Sequence, residues 1–223
     1  DRAMGELDKP SDSLPYRRVK ARIETLRNDR RFAFMFGGVA VQDTMAEVLA
    51  QLLRIPVEGK PITVVDLSAV PMDIVDAIVS LLARLIFDFA VWSRPEHRVP
   101  VLLVCEEAHR YIPADTSGGF GPTRDALARI AKEGRKYGIG LGLVTQRPSE
   151  LSESILAQCG TLFALRMTNE HDQHFVRRAL PEGADALFNA LPALSTGEAV
   201  VVGAGTTAPM RLRFHELPAA ARP

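Results

Sequence analysis

Between Ile62 and Phe214 the chain alternates short apolar, β-branched runs with segments of helical periodicity, and no other property narrows its fold as much. Ile62–Leu67, Val99–Cys105, Ile139–Thr145 and Thr161–Arg166 read as strands. Segments 72–92, about 123–137, 150–158, 172–180 and 184–191 read as the helices between and after them. Continuous apolar strands separated by helices predict an α/β fold with a mainly parallel sheet and helices on both faces. Parallel neighbours need a crossover, and their faces must be covered. Glu198–Val202 and Met210–Phe214 read as two closing strands, paired as a hairpin. The longest apolar segment, Met72 to Trp92, carries Asp73, Asp76, Arg84 and Asp88. Such charges are costly in a bilayer, so it reads as a core helix, and no membrane partner is expected.

The remainder is organised more simply. Residues 1–16 are polar, with Pro10 and Pro15, and are expected to form a flexible tail or linker ahead of one folded domain over 17–223. Arg17 to Arg31 holds seven basic residues, with Val19, Ile23 and Leu26 at helical spacing, which predicts an amphipathic helix with a basic face. That face would suit either solvent or DNA. Phe32, Phe34 and Phe36 predict a short extended segment, and Met45 to Leu53 a helix that ends before Pro56. Lys plus Arg and Asp plus Glu both total 27 in 223 residues, which excludes a chain coated in basic charge to hold nucleic acid without specificity. The two cysteines, Cys105 and Cys159, make neither a disulfide scaffold nor a zinc site, and a reducing, cytoplasmic setting is expected.

In an open α/β sheet, ligands sit beyond the carboxyl ends of the strands. Four predicted strands end in polar residues: Asp66-Leu67-Ser68, Glu106-Glu107-Ala108-His109, Thr145-Gln146-Arg147-Pro148 and Arg166. Adjacent carboxylates at a buried strand tip suit nucleotide hydrolysis, where one acid holds the Mg²⁺ shell and the next orients or deprotonates water. Gln146 offers an amide for a γ-phosphate or its water, or simply a cap for the following turn. His109 reads equally as a helix-start residue and as a coupling element. His171 and His174 have metal-ligand spacing, but no partner pattern completes a site, and a surface helix is the better reading.

In this order, Val-Val-Asp66-Leu-Ser, Leu-Val-Cys-Glu106-Glu107-Ala-His109, Glu133-Gly-Arg135-Lys-Tyr-Gly138, Thr145-Gln146-Arg-Pro, Ala-Leu-Arg166 and Thr196-Gly-Glu-Ala-Val200 resemble the HerA/FtsK superfamily of P-loop ATPases, most closely its HerA-type DNA translocases. The resemblance implies a RecA-like P-loop core and an ATP-driven DNA translocase or helicase working as a hexameric ring, with a nuclease as a further partner. It implies ATP and Mg²⁺ at subunit interfaces, with Glu106 as the metal-holding Walker B acid, Glu107 as the catalytic glutamate and Gln146 as the sensor. Arg135 would be the finger on a neighbour's nucleotide, although a cation at a helix end is also favoured by the helix dipole alone. One departure stands out: the chain contains no G-x-x-x-x-G-K-[ST], the string whose backbone amides and lysine cradle the phosphates. The expectation is therefore the C-terminal portion of an ATPase domain, inactive by itself. The rivals are a conjugation- or secretion-type ATPase of the same superfamily and a degenerate, non-hydrolysing module.

Overall fold

A computed structural model describes residues 14–28, 45–55, 59–93, 96, 99–115, 120–178, 185–216 and 218. The segment Phe32–Phe36 lies outside them, as do residues 1–13 of the expected tail. The chain divides into two compact units, Asp1–Pro71 and Met72–Pro223.

The first unit holds α1 (Leu14–Asn28) and α2 (Met45–Leu53). The basic amphipathic helix thus begins at Leu14, inside the segment expected to be tail. Ile62–Leu67, predicted as a strand, forms no ladder among the described residues, and Ile62 and Val64 are 77% and 83% exposed. An apolar, β-branched run states a preference for extended, covered backbone. It becomes a strand only where a partner takes up its N–H and C=O groups.

The second unit begins with α3 (Met72–Trp92), whose bounds match the periodic apolar segment. No described helix is long and apolar enough to cross a membrane. Then come β1 (Val101–Cys105), a 3₁₀ turn over Ala108–Arg110 and α4 (Gly121–Tyr137). Helix α4 starts with Pro122, whose missing N–H costs nothing in a first turn, and stops at Gly138, which takes the left-handed conformation with φ 80°. It packs against α3: Tyr137 meets Phe87 edge-on at 5.5 Å between ring centroids, the Arg129 guanidinium lies 4.1 Å from the centre of the Phe87 ring, and buried Thr123 donates its hydroxyl to the Asp76 carbonyl at 2.8 Å.

Strand β2 (Ile139–Leu143) follows directly and pairs parallel with β1, Val101 opposite Ile139 and Cys105 opposite Leu143. Helix α4 covers one face of this pair. On the other, Leu102 and Val104 stand exposed over Gly140 and Gly142. Short helix α5 (Glu153–Leu156) leads to β3 (Thr161–Ala164), then α6 (Glu170–Arg178), α7 (Asp185–Phe188), β4 (Glu198–Gly203) and β5 (Met210–Arg213). Strand β4 is central, antiparallel to both β3 and β5, and its Ala199–Val202 run is buried, as a middle strand covered by neighbours should be. The closing hairpin therefore forms. The described strands pair parallel in one sheet and antiparallel in the other, because alternation of strand and helix leaves room for a crossover without fixing the direction of each pairing.

Candidate functional site

The β1–β2 register builds the site. Because Cys105 pairs with Leu143, both strands end at the same level, and the residues that follow them, 39 positions apart in sequence, leave the sheet side by side. Two backbone hydrogen bonds extend the register past the strands, from Val144 N–H to the Cys105 carbonyl at 3.0 Å and from Ala108 N–H to the Val144 carbonyl at 2.8 Å. Glu107 is thereby held against Thr145 and Gln146.

The backbone of Glu107 is unusual. Its φ of 50° and ψ of 47° lie in the left-handed region, which for a residue with a Cβ costs about 1–2 kcal/mol. The kink starts the 3₁₀ turn, seats Ala108 with no exposed surface, and sends the Glu107 side chain towards the end of β2. There Gln146 Nε2 donates to Glu107 Oε1 at 3.1 Å, and His109 Nδ1 lies 3.4 Å from Oε2 and 3.0 Å from Thr145 Oγ1. Thr145 Oγ1 also accepts the Arg147 N–H at 3.0 Å. Glu106, one residue earlier, remains exposed beyond the strand end. Cys105 is buried, and loss of hydration pushes its thiol up to about 11, so it stays protonated at neutral pH and is no nucleophile.

Arg135 is not in this cluster. It sits exposed in the last turn of α4, which Gly138 joins to the start of β2. The five-residue length of β2, roughly 16 Å at the usual rise, separates it from the strand end that carries Gln146. Asp66 belongs to the first unit, where its Oδ1 accepts the Ser68 N–H at 2.9 Å; that hydrogen bond holds its carboxyl below the usual range. Arg166 is exposed after β3.

Two supports were not legible as site features. Asp172, 7% exposed, accepts from Ser149 through both the hydroxyl, at 2.6 Å, and the backbone N–H, at 3.1 Å, which ties α6 to the turn behind Gln146. The signal available was Asn169, whose side chain caps α6 through the His171 and Asp172 N–H groups at 2.9 and 3.4 Å and so fixes where that helix begins. The other support is the bond between His109 and Thr145, which lie 36 residues apart in sequence and meet through the β1–β2 register.

Comparison with known proteins finds sequence relatives for this chain. Residues 3–86, less than half of the chain, match the family model of the helicase HerA central domain. The DNA double-strand break repair helicase HerA of Pyrococcus furiosus is 40% identical over 121 residues, 54% of this chain and 21% of that protein. The DNA double-strand break repair helicase HerA of Sulfolobus acidocaldarius is 33% identical over 195 residues, 84% of this chain and 37% of that protein. The chain thus spans between about a fifth and somewhat over a third of the length of these curated relatives. The genome packaging NTPase B204 from Sulfolobus turreted icosahedral virus 2, in complex with AMP, gives a TM-score of 0.49 at 14% identity, covering 64% of this chain and 63% of that one. By its sequence matches, this chain is similar to the DNA double-strand break repair helicases HerA over part of their length.

Proposed function

We propose that this chain supplies the water-activating side of an ATP-hydrolysing site in a HerA-type DNA translocase or helicase that works as a hexameric ring. The observation that carries the reading is the parallel β1–β2 register, which sets a carboxylate, Glu107, 3.1 Å from an amide, Gln146, at the carboxyl ends of the strands. In hydrolysis Glu107 orients the attacking water and accepts its proton, while Gln146, released from Glu107, hydrogen-bonds the γ-phosphate. Glu106 is the exposed carboxylate for Mg²⁺. Mg²⁺ in nucleotide sites is held by one or two carboxylates, phosphate oxygens and water. Bound there, Mg²⁺ would neutralise charge on the phosphates.

Arg135, at the far end of β2 from Glu107, serves as a finger on the nucleotide of the next subunit, so hydrolysis depends on assembly. The reading requires a phosphate-cradling loop, a string that these 223 residues do not contain. The names of the relatives, DNA double-strand break repair helicases, support DNA as the substrate.

Phosphate release tests this reading. The 223-residue chain alone gives no turnover, and the complete protein does. In the complete protein, Glu107→Gln retains nucleotide binding and loses hydrolysis, because the amide keeps the shape and removes the base. Retention of more than about a tenth of wild-type turnover, a barrier change under about 1.4 kcal/mol, refutes the assignment.

A further inference from the structure

We propose that His109 is the positioning residue for Glu107, donating from Nδ1 to hold one oxygen of its carboxylate while Gln146 holds the other. The inference rests on the reading of Glu107 as the water-activating group. His109 is set for this role by its surroundings: its side chain is 16% exposed, and its Nδ1 lies 3.0 Å from Thr145 Oγ1 and 3.4 Å from Glu107 Oε2.

The contact with the Glu107 carboxylate decides between the two tautomers. A threonine hydroxyl has one proton and two lone pairs, and one lone pair of Thr145 Oγ1 is taken by the Arg147 N–H at 3.0 Å. If Nδ1 were bare, its single lone pair would take the Thr145 proton, and Glu107 Oε2, 3.4 Å away, would face a nitrogen with nothing to donate. If Nδ1 carries the proton, that N–H faces both Thr145 Oγ1 and Glu107 Oε2, and the Thr145 hydroxyl accepts from it and from the Arg147 N–H with its two lone pairs. An ionised Glu107 therefore selects the Nδ1–H form.

The consequence is mechanical. Glu107 Oε1 is held by Gln146 from the end of β2, and Oε2 by His109 from the 3₁₀ turn, itself tied to the other side of Thr145. When Gln146 turns to a phosphate, Oε1 is freed for water while His109 keeps the carboxylate aimed. His109 touches no reacting atom. Its loss leaves nucleotide binding intact and misaims the base, which costs rate.

The test uses the complete ATPase and the difference between two amides. His109→Asn places an amide where Nδ1 stood, whereas His109→Gln places it one bond further out, near the Nε2 position. Expected are a kcat within about threefold of wild type for His109→Asn and a kcat lowered roughly 10- to 100-fold for His109→Gln and His109→Ala, all with KM within twofold. Thr145→Val, which removes the anchor of the imidazole, falls with the second group, and Thr145→Ser with the first. Full activity of His109→Gln or His109→Ala overturns the proposal, as does a His109→Asn variant that binds nucleotide but is as slow as His109→Ala.

Glu107→Gln, measured in parallel, separates the two readings. If it is inactive while the His109 variants are active, only the positioning role falls; if it is active, both fall. Should the variants fail to fold, nitrogen NMR of the wild-type imidazole decides. A protonated Nδ1 is expected, and a bare Nδ1 with the proton on Nε2 overturns the proposal.

Discussion

Gly134 makes a sharp test of how α4 is seated on the sheet. It is buried in the last turns of α4, and a Cβ built on it would stand 2.7 Å from the Ile139 carbonyl oxygen, 3.2 Å from Ile130 Cγ2 and 3.3 Å from Ile139 Cβ. The closest atom is backbone at the first residue of β2, so relief requires the helix or the strand to move. Overpacking of this kind costs about 1–3 kcal/mol, and a rigid carbonyl argues for the upper part of that range. Against it, alanine in a helix interior gains about 1 kcal/mol over glycine. The net expectation for Gly134→Ala is a loss of about 1–2 kcal/mol, or a fall in Tm of roughly 2–8 °C for a chain of this length. Gly121 provides the internal control: it opens the same helix, has no strained φ, and a Cβ there meets nothing within 4 Å. Gly121→Ala should be neutral or stabilising by up to about 0.5 kcal/mol, since the propensity gain is smaller in a first turn. Thermal and urea unfolding of the three proteins reads both signs. A Gly134→Ala protein as stable as wild type would refute the close helix–strand approach.

Glu107→Gly should stabilise the fold by about 1 kcal/mol, by relieving the left-handed conformation at φ 50°, while abolishing ATP turnover in the complete protein. A destabilised Glu107→Gly, measured by urea unfolding, would count against strain at this residue. Glu198 is held below the usual carboxylate range, first by the Ser195 N–H, 2.7 Å from Oε2, and then by Arg211 Nη2 at 2.5 Å. Because the folded value is depressed, its contribution is present above the unfolded value of about 4.3 and is lost as pH falls through the folded one. Glu198→Gln should therefore lower Tm at pH 7, and the gap should narrow as pH falls below the unfolded value and through the folded one. An unchanged gap across that range would contradict the linkage. Mixing Arg135→Ala with Glu107→Gln subunits of the complete protein, each inactive alone, should restore partial ATPase activity, since some interfaces then combine an intact Arg135 with an intact Glu107. No recovery at any ratio, with subunit exchange demonstrated, would remove the case for an arginine acting across subunits.

Local pattern was enough for much of this molecule. The apolar periodicity of Met72–Trp92 gave α3 its bounds, and Pro122 and Gly138 bracket α4, because helix starts and stops depend on the φ preferences and missing donors of single residues. The two carboxylates after β1 and the amide after β2 stood out as polar residues closing apolar runs. What the sequence could not carry was anything that depends on which segments meet. Ile62–Leu67 has the composition of a strand and no described partner, and Thr161–Ala164 pairs antiparallel with Glu198–Gly203 although helices separate them. The meeting of Glu107 with Gln146 follows from the Cys105–Leu143 register, and the left-handed turn that aims Glu107 occurs at a residue type with no preference for it. Periodicity encodes how strongly each segment prefers helix, strand and burial, and these are properties of neighbours in the chain. Register, pairing direction and strain are settled by hydrogen bonds and buried surface shared between distant segments, and only the folded chain brings those together.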